Sequence, residues 1–159
     1  MQRVDNLIVT PEQFYKRWQG HRELTRLTIE AFPDDQLFTF SIGGMRTFGQ
    51  LVHEMMRMSV PTLLGVVTRE WQDEKGPFPQ DKASLLAAWD ADTEKMNELW
   101  PQVPDGRFQE DDLAFGQWPG KIAWIVDYVV DNEIHHRAQG YVYLRALGIE
   151  PPAFWDRSG

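Results

Sequence analysis

The chain has 159 residues, 42% of them apolar and 13% aromatic, with a formal net charge of -8. That size suits one domain, residues 1–159, around one continuous core, and the acidity argues against phosphate-neutralising contacts with nucleic acid or an anionic membrane surface. There is no cysteine, which removes disulfides, thiolate metal sites and a cysteine nucleophile, and leaves His, carboxylate, amide or water to hold any metal.

Met1-Gln2-Arg3-Val4-Asp5 lacks the basic start and apolar run of a signal peptide. No window approaches 18 apolar residues, so no membrane span is expected. Together with the lack of Cys this predicts a cytoplasmic protein. Helix one is expected to open at Thr10-Pro11-Glu12-Gln13. Thr10 is a good N-cap, Pro11 suits the first helical position, and Gln13 completes a capping box. The helix is expected to end near Phe32, because Pro33-Asp34-Asp35 signals a turn. Residues 37–45 read as a short extended piece or an ordered loop: Phe38, Phe40 and Ile42 alternate before Gly43-Gly44.

A second helix is predicted from Thr47-Phe48-Gly49-Gln50, again a capping-box pattern. Pro61 either kinks it or stops it, and the pattern fades near Trp71. A third opens at Asp81 and ends before Pro101. Residues 104–119 read as a long structured crossover loop packed by Phe108, Phe115 and Trp118. The fourth helix runs from about Pro119 to Leu147, where Gly148 and Pro151-Pro152 stop it. Ala153-Phe154-Trp155 is expected to pack back on the bundle. Helices of roughly 20 to 29 residues give rods of about 30–43 Å. The predicted fold is all-α: an up-down four-helix bundle with a long crossover loop before the last helix.

The chemistry concentrates in helix four. Ile122, Ile125, Val129, Asn132, His136, Gln139 and Tyr143 share a heptad-like seam. The first three are apolar and the next three polar, so the seam changes character inside the bundle. A polar side chain pointing into a core is costly unless it is paired or bound. Asn132 and His136 lie four apart, on one helical face; Glu133 and His136 lie three apart. On helix two, His53 aligns with Gly49, Met56 and Val60, a mostly apolar or small stripe. Bringing His53 and His136 together gives two imidazoles, with Asn132 or Glu133 as third ligand and water beyond. Such nitrogen–oxygen sites suit Zn, Ni, Fe or Mn. The competing reading is a set of hydrogen-bonded core residues. A di-metal carboxylate site needs a second Glu-x-x-His beside Glu133-x-x-His136, and the sequence has none. His21, between Gly20 and Arg22, is expected to face solvent.

Over most of its length the chain resembles the DinB-like superfamily of metal-binding four-helix bundles. The resemblance rests on Thr47 to Glu54, on Asn132-Glu133-Ile134-His135-His136-Arg137-Ala138-Gln139, and on Tyr143-Leu144-Arg145-Ala146-Leu147-Gly148. It implies that His53 matches the family's helix-two ligand and His136 its last ligand. The middle ligand position falls on Asn132 rather than His, and Ala138 stands where the family has Gly. An amide oxygen binds transition metals more weakly than imidazole, so Glu133 and His135 are the alternative ligands. The resemblance further implies a homodimer and a metal-dependent transferase acting on a low-molecular-weight thiol, whose thiolate the metal would stabilise. Arg137, Gln139 and Tyr143 are then the expected substrate-pocket residues, with His135, Tyr143 or Arg137 orienting the second substrate. The alternative function is a non-catalytic stress-response or small-ligand-binding bundle with a degraded metal site.

Overall fold

Four long helices form along apolar stripes, and the first three open on a side-chain cap while the fourth does not. The computed structural model describes residues 7–157, so the opening segment Met1–Asp5 discussed above lies outside the described residues. Helix α1 spans Pro11–Ala31 and α2 spans Phe48–Thr68. Both capping boxes form: the Thr10 and Thr47 hydroxyls accept from the amides of Gln13 and Gln50, whose side chains accept from the cap amides in return. Pro61 does not end α2, which continues through it to Thr68. It sits buried inside the helix among Ser59, Thr62 and Leu63, where packing outweighs one missing backbone hydrogen bond. Helix α3 spans Lys82–Leu99, capped by Asp81, and runs into a 3₁₀ turn at Trp100–Gln102. Helix α4 spans Ile122–Ala146. Among the described residues, no helix is long and apolar enough to cross a membrane.

The helices do not pack in chain order. α1 packs against α3 and α4, and α2 packs against the same two. Consecutive α1 and α2 therefore face each other across a diagonal, unlike a simple up-down bundle with consecutive helices adjacent. Residues 32–47 make this possible, because a linker of that length reaches across the bundle. It is the ordered loop, not the strand: turns close at Gln36, Leu37 and Phe40 on Pro33 and Gln36 carbonyls, and Leu37 is fully buried.

The crossover contains structure that its Gly and acidic residues concealed. Strands β1 (Asp111–Ala114) and β2 (Trp118–Lys121) pair antiparallel, with Asp111 opposite Lys121 and Ala114 opposite Trp118. The turn between them places Phe115 and Gly116 at positive φ. Phe108 packs on Trp100 and Phe115 on Trp71, as expected. Trp118 does not pack: it is 64% exposed. Arg107 ties the crossover to α2. Its buried guanidinium donates to the Val66 and Gly65 carbonyls at the helix end and pairs with Asp112 and Glu110. The chain end is a second correction. Gly148 takes positive φ and Ile149 N–H reaches back to the Leu144 carbonyl, a helix stop after which Ile149 packs on the core and Pro151 is buried, so the tail packs back only as far as its first residues. Phe154 and Trp155 then meet edge to face and stay exposed, Trp155 at 73%.

Two apolar clusters fill the bundle. One gathers Ile29, Phe32, Phe48, Leu51, Leu85 and Leu144; the other gathers Trp18, Leu63, Val66, Met96, Ile122 and Val130. Beside them lie buried polar residues: Arg22 and Thr25 of α1, and Asn132, Glu133, His136 and Arg137 of α4.

Candidate functional site

Asn132 and His136 project from α4 toward α2, as their four-residue spacing requires. What they meet there is Glu54. Its Oε1 accepts from Asn132 Nδ2 at 3.0 Å and from His136 Nε2 at 2.9 Å. Its Oε2 is paired with Arg46, just ahead of α2. Burial pushes the Glu54 carboxyl up, but the hydrogen bonds from Asn132, Arg46 and His136 outweigh it and leave it lowered to about 2. Glu54 is thus ionised throughout the physiological range. At the other edge of the ring, His136 Nδ1 lies 2.9 Å from Gln139 Oε1. The sense of that bond follows from how the amide is turned.

Sequence reasoning passed over Glu54 in favour of its neighbour His53. A signal was there: Leu51, Glu54, Met58 and Pro61 follow three-and-four spacing, and Leu51 and Pro61 are buried. A carboxylate on that row must find donors. His53 sits one residue round the helix. Its Nε2 donates to the Pro79 carbonyl at 2.6 Å, and its ring lies between Phe38 and Phe78. Burial lowers its pKa, opposed by the Pro79 bond. His53 therefore clamps the segment between α2 and α3.

Glu133 and Arg137 turn the other way, toward α1. Glu133 Oε2 accepts from Thr25 Oγ1 at 2.7 Å and lies 3.8 Å from Arg137 Nη1. Burial raises the Glu133 pKa, against the charges of Arg22 and Arg137. Arg137 donates to the His21 carbonyl at 3.1 Å and to His21 Nδ1 at 3.0 Å. His21 is accordingly buried rather than solvent-facing. It belongs to the stripe Trp18, His21, Thr25, Thr28, all buried, a spacing that reading His21 beside Gly20 and Arg22 alone did not reveal. His135 is exposed, its ring against that of His136. Tyr143 is buried and donates to the Arg46 carbonyl at 2.8 Å.

A cavity of about 940 Å³ opens beside this centre, within the range of small-molecule sites. Glu54 and His53 line it, with Arg46, Arg57, Trp124 and Tyr128 among its other walls. Arg137, Gln139 and Tyr143 are not among the lining residues.

Whether these residues suit a metal ion is decided by their donors. His53 Nε2 and His136 Nε2 are directed at different oxygens, those of Pro79 and Glu54. Glu54 carries a guanidinium on its second oxygen, so the centre offers a cation no surplus negative charge. Among the described residues, no three His, Asp or Glu side chains form a group that could hold an ion. In this arrangement the residues do not fit a metal. They fit a carboxylate–imidazole pair with an amide and a guanidinium closing it.

Two solved structures share the architecture. A DinB-like protein from Bacillus cereus ATCC 10987 is 19% identical, with 89% of this chain and 95% of that one covered and a TM-score of 0.71. A DinB-like protein from Bacillus subtilis, YjoA, is 18% identical, with 86% and 94% covered and a TM-score of 0.67. At such identities the likeness concerns the fold. No curated protein matches the chain. Residues 1–157 match the DinB family as a whole, and the chain belongs to that family.

Proposed function

We propose that this chain is a small-ligand-binding bundle whose former metal centre has become an internal ion pair. One observation carries the reading: the Glu54 carboxylate, held by Arg46, occupies the hydrogen-bonding direction of His136 Nε2 and of Asn132. A cation entering there must displace two hydrogen bonds and stand beside a guanidinium. Such exchange is unfavourable for a set with one imidazole and two oxygen donors. The cavity next to it has the size and the mixed apolar and charged walls of a binding site. The test is elemental analysis of protein purified without a His tag. Metal far below one equivalent is expected, for Asn132→His no less than for the parent if Arg46 keeps Glu54 occupied. One equivalent of Zn, Ni, Fe or Mn in the parent protein would overturn the reading.

A metal-dependent thiol transferase, homodimeric as the resemblance implies, is the second reading. The observation that favours it is Asn132 Oδ1, buried without a partner next to Glu54 and His136. The ligand set would be His136, Asn132 and Glu54 in place of His53. Titration of Asn132→His with Zn and Ni separates the two readings: a gain in affinity supports the transferase, and lost stability without bound metal supports the ion pair.

A further inference from the structure

We infer that the cavity between α2, the β1–β2 hairpin and α4 takes a flat apolar molecule bearing a carboxylate. This rests on the ligand-binding reading above and adds the ligand's chemical class.

The argument is a balance of donors and acceptors. The cavity is lined by two arginines and two carboxylates, Arg46 with Glu54 and Arg57 with Asp73. The Glu54 carboxylate already receives three donors, from Asn132, His136 and Arg46. Asp73 receives Arg57 Nη2 at 2.8 Å, and Arg57 Nε donates to the Glu74 carbonyl at 3.2 Å. Each guanidinium has five N–H groups, so both arginines keep donors to spare while Glu54 has little left to accept with. Trp118 and Trp124 add indole N–H donors at the same walls. The free polar capacity is therefore mainly donor, which matches an anion with two acceptor oxygens; arginine presents a planar fork suited to a carboxylate.

The apolar part follows from the rings. Trp124 is 69% exposed and Tyr128 59%, one helical turn apart on α4, and Trp118 stands exposed on β2. Among the described residues none of the three packs against another ring, unlike Trp71 with Phe115 or His53 with Phe78. Their faces are open to a planar guest. Open aromatic faces also attract organic cations. A cation here would meet both guanidiniums, with both carboxylates already paired. The chain's net charge of -8 repels anions at a distance, but that field is screened beyond about 8 Å at physiological ionic strength. Inside the cavity the nearest charges decide.

The experiment uses the full chain and one ring with three heads: 2-naphthoate, 2-naphthylmethanol and 2-naphthylmethylammonium, each titrated by calorimetry. The carboxylate is expected to bind at least tenfold more tightly than the other two. Arg57→Gln is expected to weaken it at least fivefold while leaving the alcohol unchanged; Arg46→Gln is the second variant, and thermal melts confirm that each is folded. Equal or tighter binding of the alcohol or the ammonium would overturn the inference and leave the ligand-binding reading standing. No binding by any of the three up to millimolar concentration would overturn both.

Discussion

Helix α4 carries two polar pairs at the same spacing, Asn132/His136 and Glu133/Arg137, offset by a single residue. One residue is a rotation of about 100°, and that rotation sends them to different environments. Asn132 and His136 meet Glu54 at the edge of a cavity, where Arg46 and Glu54 are partly in water. Glu133 and Arg137 meet Thr25 and His21 in a sealed layer against α1. The same residue types thus form an accessible centre on one face and a structural network on the other. The comparison teaches that burial of the partner, more than the motif, separates a candidate site from a core ion pair.

The contrast is broken most directly by Glu133→Ala. It leaves Arg137 buried without its carboxylate and takes away one of the acidic charges acting on buried Arg22, and removing one partner of a buried pair costs about 3–5 kcal/mol. Urea unfolding should show a loss of that order, with naphthoate binding unchanged. A loss below about 1 kcal/mol, the scale of an exposed pair, would mean that water reaches the layer.

Acid tests the same layer through His21. Burial first, and the Arg137 charge second, lower its pKa from 6.5 to about 3. The unfolded chain takes up this proton below 6.5 and the folded chain only near 3. Stability attributable to His21 is therefore present above 6.5 and lost as pH falls toward 3. His21→Gln keeps an acceptor for Arg137 but does not titrate. Its unfolding free energy should fall less steeply than wild type between pH 6.5 and 4; parallel curves would show that His21 is protonated in the fold.

Gly140 sharpens the other side. It follows Asn132 and His136 on the same row, and a Cβ there would lie 2.5 Å from the Phe48 ring. Phe48 is fully buried and stacked on Phe32, so it has little room to yield. Gly140→Ala should cost about 1–3 kcal/mol and shift the His136 imidazole resonances as α4 moves off α2. An unchanged His136 signal would show that the helices' approach does not set the Glu54 contact.

The smallest effect is expected from Glu54→Gln. The side chain is partly solvated and the variant retains an acceptor, so stability should change by about 1 kcal/mol or less. A loss as large as that of Glu133→Ala would erase the distinction between the two regions.

Much of the fold was legible because its signals are local. Thr10-Pro11-x-Gln13 and Thr47-x-x-Gln50 mark helix starts through hydrogen bonds made within four residues, and Gly148 marks a stop in the same way. The polar turn in the α4 seam was equally plain, since side-chain period follows from helix geometry alone. The β1–β2 hairpin was hidden because its strands are four residues each, too short for an alternating pattern to register. Trp118 and Trp155 were misplaced for a related reason: apolar character predicts a preference for burial, not the presence of a surface to bury against.

The sequence by itself determined the four helices, the caps that open the first three and the fact that polar side chains enter the bundle from α4. The tertiary structure decided who meets them. Setting α1 and α2 across a diagonal gives each its own face of α4, so that Glu54 rather than His53 closes on His136, and His21 becomes a buried partner of Arg137. Those pairings join residues 82 and 116 positions apart. Contacts at such separations depend on how whole helices are rotated and placed, and no periodicity within a single helix contains that information.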